Sequence, residues 1–96
     1  MDNQLTLRAV LAEAQPLRHT PAGLPAIDVL LTHESVQAEA GSQRQVKLAA
    51  RAIAFGTLAE RLARQALGSQ WQFCGFLAAG RNGKGLVFHI QDMQRI

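Results

Sequence analysis

The stretch Val46-Lys47-Leu48-Ala49-Ala50-Arg51-Ala52-Ile53-Ala54-Phe55-Gly56-Thr57-Leu58-Ala59-Glu60-Arg61-Leu62-Ala63-Arg64-Gln65-Ala66-Leu67-Gly68 changes its hydrophobic period part-way along. Over residues 46–55, Val46, Leu48, Ala50 and Ala52 alternate with Lys47, Ala49 and Arg51. That two-residue period suits a strand with one buried face, although so many alanines also permit a helix. From Thr57 the period lengthens: Leu58, Leu62 and Ala66 recur on one helical face, while Arg61, Arg64 and Gln65 look outward. Thr57-Leu58-Ala59-Glu60 has the form of a capping box, in which the Thr hydroxyl oxygen accepts from the third helical N–H and the Glu carboxylate from the Thr N–H. Gly68 supplies a left-handed stop. A strand followed at once by a helix of about three turns is therefore expected.

Upstream, Leu5, Leu7, Ala9 and Leu11 alternate within residues 5–13, and Ile27, Val29, Leu31 and His33 alternate with Asp28, Leu30, Thr32 and Glu34. These are two further strands. Between them Pro16-Leu17-Arg18-His19-Thr20-Pro21-Ala22-Gly23-Leu24-Pro25 holds all three prolines and predicts a loop or hairpin tip. Residues 34–45 lose periodicity and turn polar around Gly41, which predicts a solvent-exposed, mobile connection. Downstream, Gln70–Leu77 is aromatic and alternates at its start, Leu86–Ile90 alternates too, and Asn82-Gly83 marks the turn of a basic-tipped hairpin. The expected order is β-β-β-α-β-β, all-β with one short helix between the third and fourth strands. That is the order of the five-stranded oligonucleotide/oligosaccharide-binding (OB) barrel.

The chain has 96 residues, 48% apolar and 18% charged, a composition that suits a single folded domain over residues 1–96. No apolar run reaches the roughly 18 residues of a membrane helix, and the opening residues lack a secretory pattern, so a cytoplasmic protein that does not enter membranes is expected. Cys74 is the only cysteine, which excludes an intrachain disulfide and a multi-cysteine zinc site and suggests a core-filling role. His19, His33 and His89 are dispersed, and no H-E-x-x-H, G-x-S-x-G or phosphate-loop pattern occurs. Neither catalysis, nor a cofactor, nor a metal has a sequence basis.

Charge is segregated: residues 1–40 hold two bases and five acids, whereas residues 41–96 hold eight bases and two acids. With a net charge of +3 and a pI near 10.0, the cationic second half points towards a polyanion or an acidic protein surface.

Residues 16–25, then His33-Glu34-Ser35-Val36-Gln37-Ala38-Glu39-Ala40-Gly41 and Arg44-Gln45, closely resemble primosomal replication protein N, the PriB family. The short pattern His-x-Ser-Val-Gln-x-Glu-x-Gly is specific, and weaker similarity runs over nearly the whole chain. The resemblance implies a small, non-catalytic, dimeric relative of single-stranded-DNA-binding proteins that joins a restart helicase and other primosome proteins at stalled forks. Carried over residue by residue, the family's basic loop between strands one and two resembles Arg18 and His19, and its basic last hairpin resembles Arg81 and Lys84. Two positions depart from the pattern. Glu34 stands where family members carry a base, and Lys47 stands where they carry an aromatic ring.

Independently of the family, cationic grooves follow the phosphates of single strands and aromatic faces stack their bases. This chain is rich in the first and poor in the second. Trp71, Phe73 and Phe88 fall on faces assigned to the core, whereas Phe55 and Phe76 fall out of phase, which leaves one of them for bases or a partner subunit. Arg44, Lys47 and Arg51 lie within eight residues, with Lys47 and Arg51 on one strand face. The expected DNA-binding set is Arg18, His19, Arg44, Lys47, Arg51, Arg81 and Lys84. Arg18, Lys47, Arg51, Arg81 and Lys84 are expected on one connected face, and losing Lys47 and Arg51 together should flatten the salt dependence by about 1.4. Arg61 and Arg64 are expected to serve solubility and local ion pairs, for instance with Glu60. The alternative is a protein-docking module whose basic surface meets an acidic segment, with weak or no nucleic-acid binding.

Overall fold

Strands predominate because, within the barrel, alternate side chains are buried. In the computed structural model, which describes all 96 residues, the chain runs β1 (Leu5–Ala14), β2 (Arg18–His19), β3 (Pro25–Glu39), β4 (Ser42–Phe55), α1 (Thr57–Ala63), β5 (Gln70–Ala79) and β6 (Leu86–Arg95). The strands close into a ring. β1 pairs antiparallel with β5 from Leu5 to Val10 and with β3 from Val10 to Ala14, and a register shift between Leu11 and Glu13 bends it from one neighbour to the other. β3 pairs with β4, β4 runs parallel to β6 at Ala52↔Phe88 and Ile53↔His89, and β6 returns antiparallel to β5. This is the expected five-stranded OB barrel, with the two-residue β2 added to the edge of β3.

Leu11, Ile27, Leu31, Leu62, Phe73, Phe88 and Met93 fill the interior, with Trp71 buried among them. Ala52 opposes Phe88 across the parallel pair, small against large. At Gly75 the neighbouring strand leaves no room for a side chain. A Cβ there would sit 1.8 Å from the His89 carbonyl oxygen, beside a register shift between Cys74 and Gly75. Cys74 is half-buried with Sγ 3.5 Å from Thr6 Oγ1, so it does not fill the core as its composition suggested.

Residues 34–45 are not a mobile connection. β3 and β4 pair without interruption out to Glu39↔Ser42, and Ala40 (φ 52°) and Gly41 (φ 81°) make the two-residue turn with both φ positive that matches strand twist. Fifteen residues of β3 at about 3.3 Å each span about 50 Å. The molecule's longest axis is 50 Å. The ribbon carries no sequence period because, beyond the barrel, neither of its faces is buried.

The helix is shorter than expected and starts differently. Gly56 (φ 72°) takes the cap position with no side-chain cap bond, and its N–H donates to Pro25 O at 2.8 Å. Thr57 is thereby drawn inside the helix and the capping box does not form. Seven residues suffice because Ala59 and Leu62 close one end of the barrel. Arg61 is not a solubility residue: Nη1 donates to Met93 O at 3.1 Å and its guanidinium lies 5.6 Å from the Trp71 ring centre.

Candidate nucleic-acid interface

Odd-numbered residues of β4 face outward, so Lys47 and Arg51 do share a side. Register then extends that side across the sheet: Asp28 lies opposite Ile53, Ile53 beside His89, and His89 opposite Phe76. Phe76 and His89 stack with ring centres 4.8 Å apart and planes 16° apart, and the half-exposed Phe55 lies 6.1 Å from His89. The two out-of-phase phenylalanines therefore flank one histidine on the outer wall.

Above this row opens a cleft of about 670 Å³ whose lining includes Arg18, Asp28, Arg51, Arg81, Lys84 and His89. Three separate segments bring the cations together. Arg18 comes from β2, Arg51 from the middle of β4, and Arg81 and Lys84 from the turn between β5 and β6, where Arg81–Gly83 forms one turn of 3-10 helix and Asn82 (φ 61°) is left-handed. Bare glycines admit Arg51 to this turn. Its Nη2 lies 3.1 Å from where a Cβ on Gly80 would stand and 3.6 Å from one on Gly85.

Arg18, Arg51, Arg81 and Lys84 thus line one cleft, whereas Lys47, expected with them, and Arg44 and His19 lie outside its lining. Lys47 lies further along the same face, opposite Glu34, with Nζ 3.6 Å from its carboxylate. Arg44 projects from the opposite face of the ribbon and pairs with Glu39 at 3.2 Å. His19 is exposed opposite Pro25. Arg18 is also paired: Nε donates to Asp28 Oδ2 at 2.9 Å and Nη2 to Oδ1 at 3.5 Å. That hydrogen bond first, and the carboxylate charge second, raise the Arg18 pKa against a small desolvation cost. Sequence reasoning missed Asp28 and His89 as parts of the site. Asp28 carries no signal until β2 is known to lie beside β3.

The His-x-Ser pattern has a structural explanation. His33 Nδ1 lies 2.6 Å from the Arg8 carbonyl and Nε2 2.7 Å from Ser35 Oγ, which also accepts from Gln37 Nε2 at 3.0 Å. An N–H at Nδ1 donates to Arg8 O, leaving Nε2 to accept from the serine hydroxyl. The chain of bonds ties the ribbon to the outer edge of β1.

Residues 3–92 match the model of a family described as another single-strand binding protein family. Replication restart protein PriB of Bordetella pertussis strain Tohama I is 47% identical over 95 residues, covering 98% of this chain and 89% of that one. The chain belongs to the PriB family. The structure of PriB from Ralstonia solanacearum superposes with a TM-score of 0.91 at 39% identity, covering 99% of this chain and 98% of that one. A single-stranded DNA binding protein from Thermus aquaticus shares the fold alone, with a TM-score of 0.76 at 23% identity over 98% of this chain and 50% of that one.

Proposed function

We propose that this chain is a non-catalytic, single-domain protein that binds single-stranded DNA during replication restart in the cytoplasm, holding the strand chiefly by its phosphates and passing it to a restart helicase. The observation that carries this reading is the convergence of Arg51, Arg81 and Lys84 with Arg18 in one outer cleft, on the β3–β4 side and the terminal loop where OB barrels bind oligonucleotides. Supporting it, the relatives it matches are named for replication restart, and the matching family model for single-strand binding. The test is titration of a labelled oligo-dT with the wild type and with an Arg51→Ala/Arg81→Ala/Lys84→Ala variant. Tight binding by the first and its loss in the second support the reading; equal binding by both contradicts it.

Assembly as a homodimer belongs to the same proposal. From Leu5 to Leu7, short of the Arg8 carbonyl that His33 Nδ1 bonds, β1 pairs with β5 on one side only, and an open edge of this kind suits a second copy. Sedimentation equilibrium at tens of micromolar protein, an estimated working concentration, should show dimer; monomer alone contradicts it. The docking-module reading finds support in one place. Leu86 and Leu48 stay exposed, at 65% and 40%, on β6 and β4.

A further inference from the structure

The three ion pairs of the chain share a pattern. Arg18–Asp28, Lys47–Glu34 and Arg44–Glu39 each join an expected DNA-binding base to a carboxylate from β3. The acidic first half of the chain is folded onto the basic second half by the β3–β4 register, and onto Arg18 by the β2–β3 register. Only the first of these pairs lies in the cleft.

We infer that Asp28 is a built-in competitor for phosphate at Arg18, and that it sets how tightly the cleft holds a single strand; the inference rests on the single-strand reading above. Asp28 grips the guanidinium through Nε and Nη2, two N–H donors that also suit paired phosphate oxygens. Asp28 lines the same cleft as Arg51, Arg81 and Lys84, and with Glu13, the other acid of the lining, it offsets part of the charge that draws a polyanion in. The pair is wet, with 38% and 46% of the two side chains exposed, and pairs this exposed are weak enough to exchange. A phosphate arriving at Arg18 therefore displaces a carboxylate. Because the pair brings no net charge to the cleft, that contact adds nothing to counterion release until Asp28 is neutralised. The opposite role would be positioning, in which Asp28 presents Arg18 to the strand. The two roles predict opposite signs for the same substitution.

The experiment measures anisotropy of a labelled oligo-dT over a salt series for the wild type, Asp28→Asn, Arg18→Gln, the double variant and a charge control, Glu60→Gln on α1. The Asn side chain keeps the shape of Asp28, and thermal melts establish that each variant folds. Asp28→Asn should bind tighter at low salt with a slope steeper by about 0.7, so that its advantage shrinks about 2.6-fold between about 50 and about 200 mM salt. The double variant should return to about wild-type affinity, and Glu60→Gln should stay within about twofold. Asp28→Asn binding equal to or weaker than the wild type overturns the inference alone. So does a gain of equal size in Glu60→Gln. Absence of binding by all five proteins at low salt overturns the single-strand reading and the inference with it.

Discussion

Two outward cations of β4 separate the contribution of pairing from that of position. Lys47 and Arg51 share one face, but Lys47 lies 3.6 Å from Glu34 whereas Arg51 enters the cleft with no carboxylate partner. Counting bases alone, each is a phosphate contact, and each should change the slope of log K against log salt by about 0.7. Counting net charge, the Lys47–Glu34 pair contributes nothing to the face. The perturbations are therefore Arg51→Gln, and Lys47→Gln with Glu34→Gln together. The unpaired Arg51, Arg81 and Lys84 set a ceiling of about −2.1 on what the cleft contributes to the wild-type slope. Arg51→Gln should flatten it by about 0.7, a third of that ceiling, and the pair variant should leave it unchanged within about 0.2. Exposed pairs of this kind contribute about 0–1 kcal/mol, so loss of the pair leaves folding intact. The assay is anisotropy of a labelled oligo-dT at five or more salt concentrations. Equal flattening by the two variants would mean that Lys47 contacts phosphate despite its partner.

Gly75→Ala should destabilise the barrel by about 3 kcal/mol, a fall in Tm of roughly 15 °C, because its Cβ has no space beside the His89 carbonyl; a melt shifted by only a few degrees would contradict that packing. Ala40→Asn should stabilise by about 0.5–1 kcal/mol, since φ is +52° and asparagine tolerates the left-handed region that alanine avoids; denaturant unfolding that shows a loss would contradict the turn geometry. Phe73→Ala should cost about 3–5 kcal/mol by opening a cavity at a fully buried ring, again measured in denaturant.

The parts of the fold legible in the sequence are those where one strand face is buried. Leu11, Ile27, Val29, Leu31, Phe73 and Phe88 all fall on the alternating faces assigned to the core. The outer half of β3 and β4 was illegible for the converse reason, since a two-stranded ribbon in solvent imposes no alternation and its Ala40-Gly41 turn lacks the usual asparagine. The capping-box pattern misled because Gly56, with positive φ, bends the chain one residue early. Of the cleft, Arg81 and Lys84 were legible as the tip of a hairpin and Arg51 as an outward strand position, whereas Lys47, read on the same face, lies outside the lining. The pairing of Arg18, Lys47 and Arg44 with β3 acids depends on register, which the residues alone do not print. Segregated charge along the chain is thus partly cancelled in space.

Anisotropy of labelled single-stranded and duplex DNA of the same sequence over a salt series shows whether the cleft follows the phosphates of a single strand. Preference for the single strand, with binding that weakens steadily as salt rises, is the predicted result; no binding at low salt, or equal binding to the duplex, would contradict it.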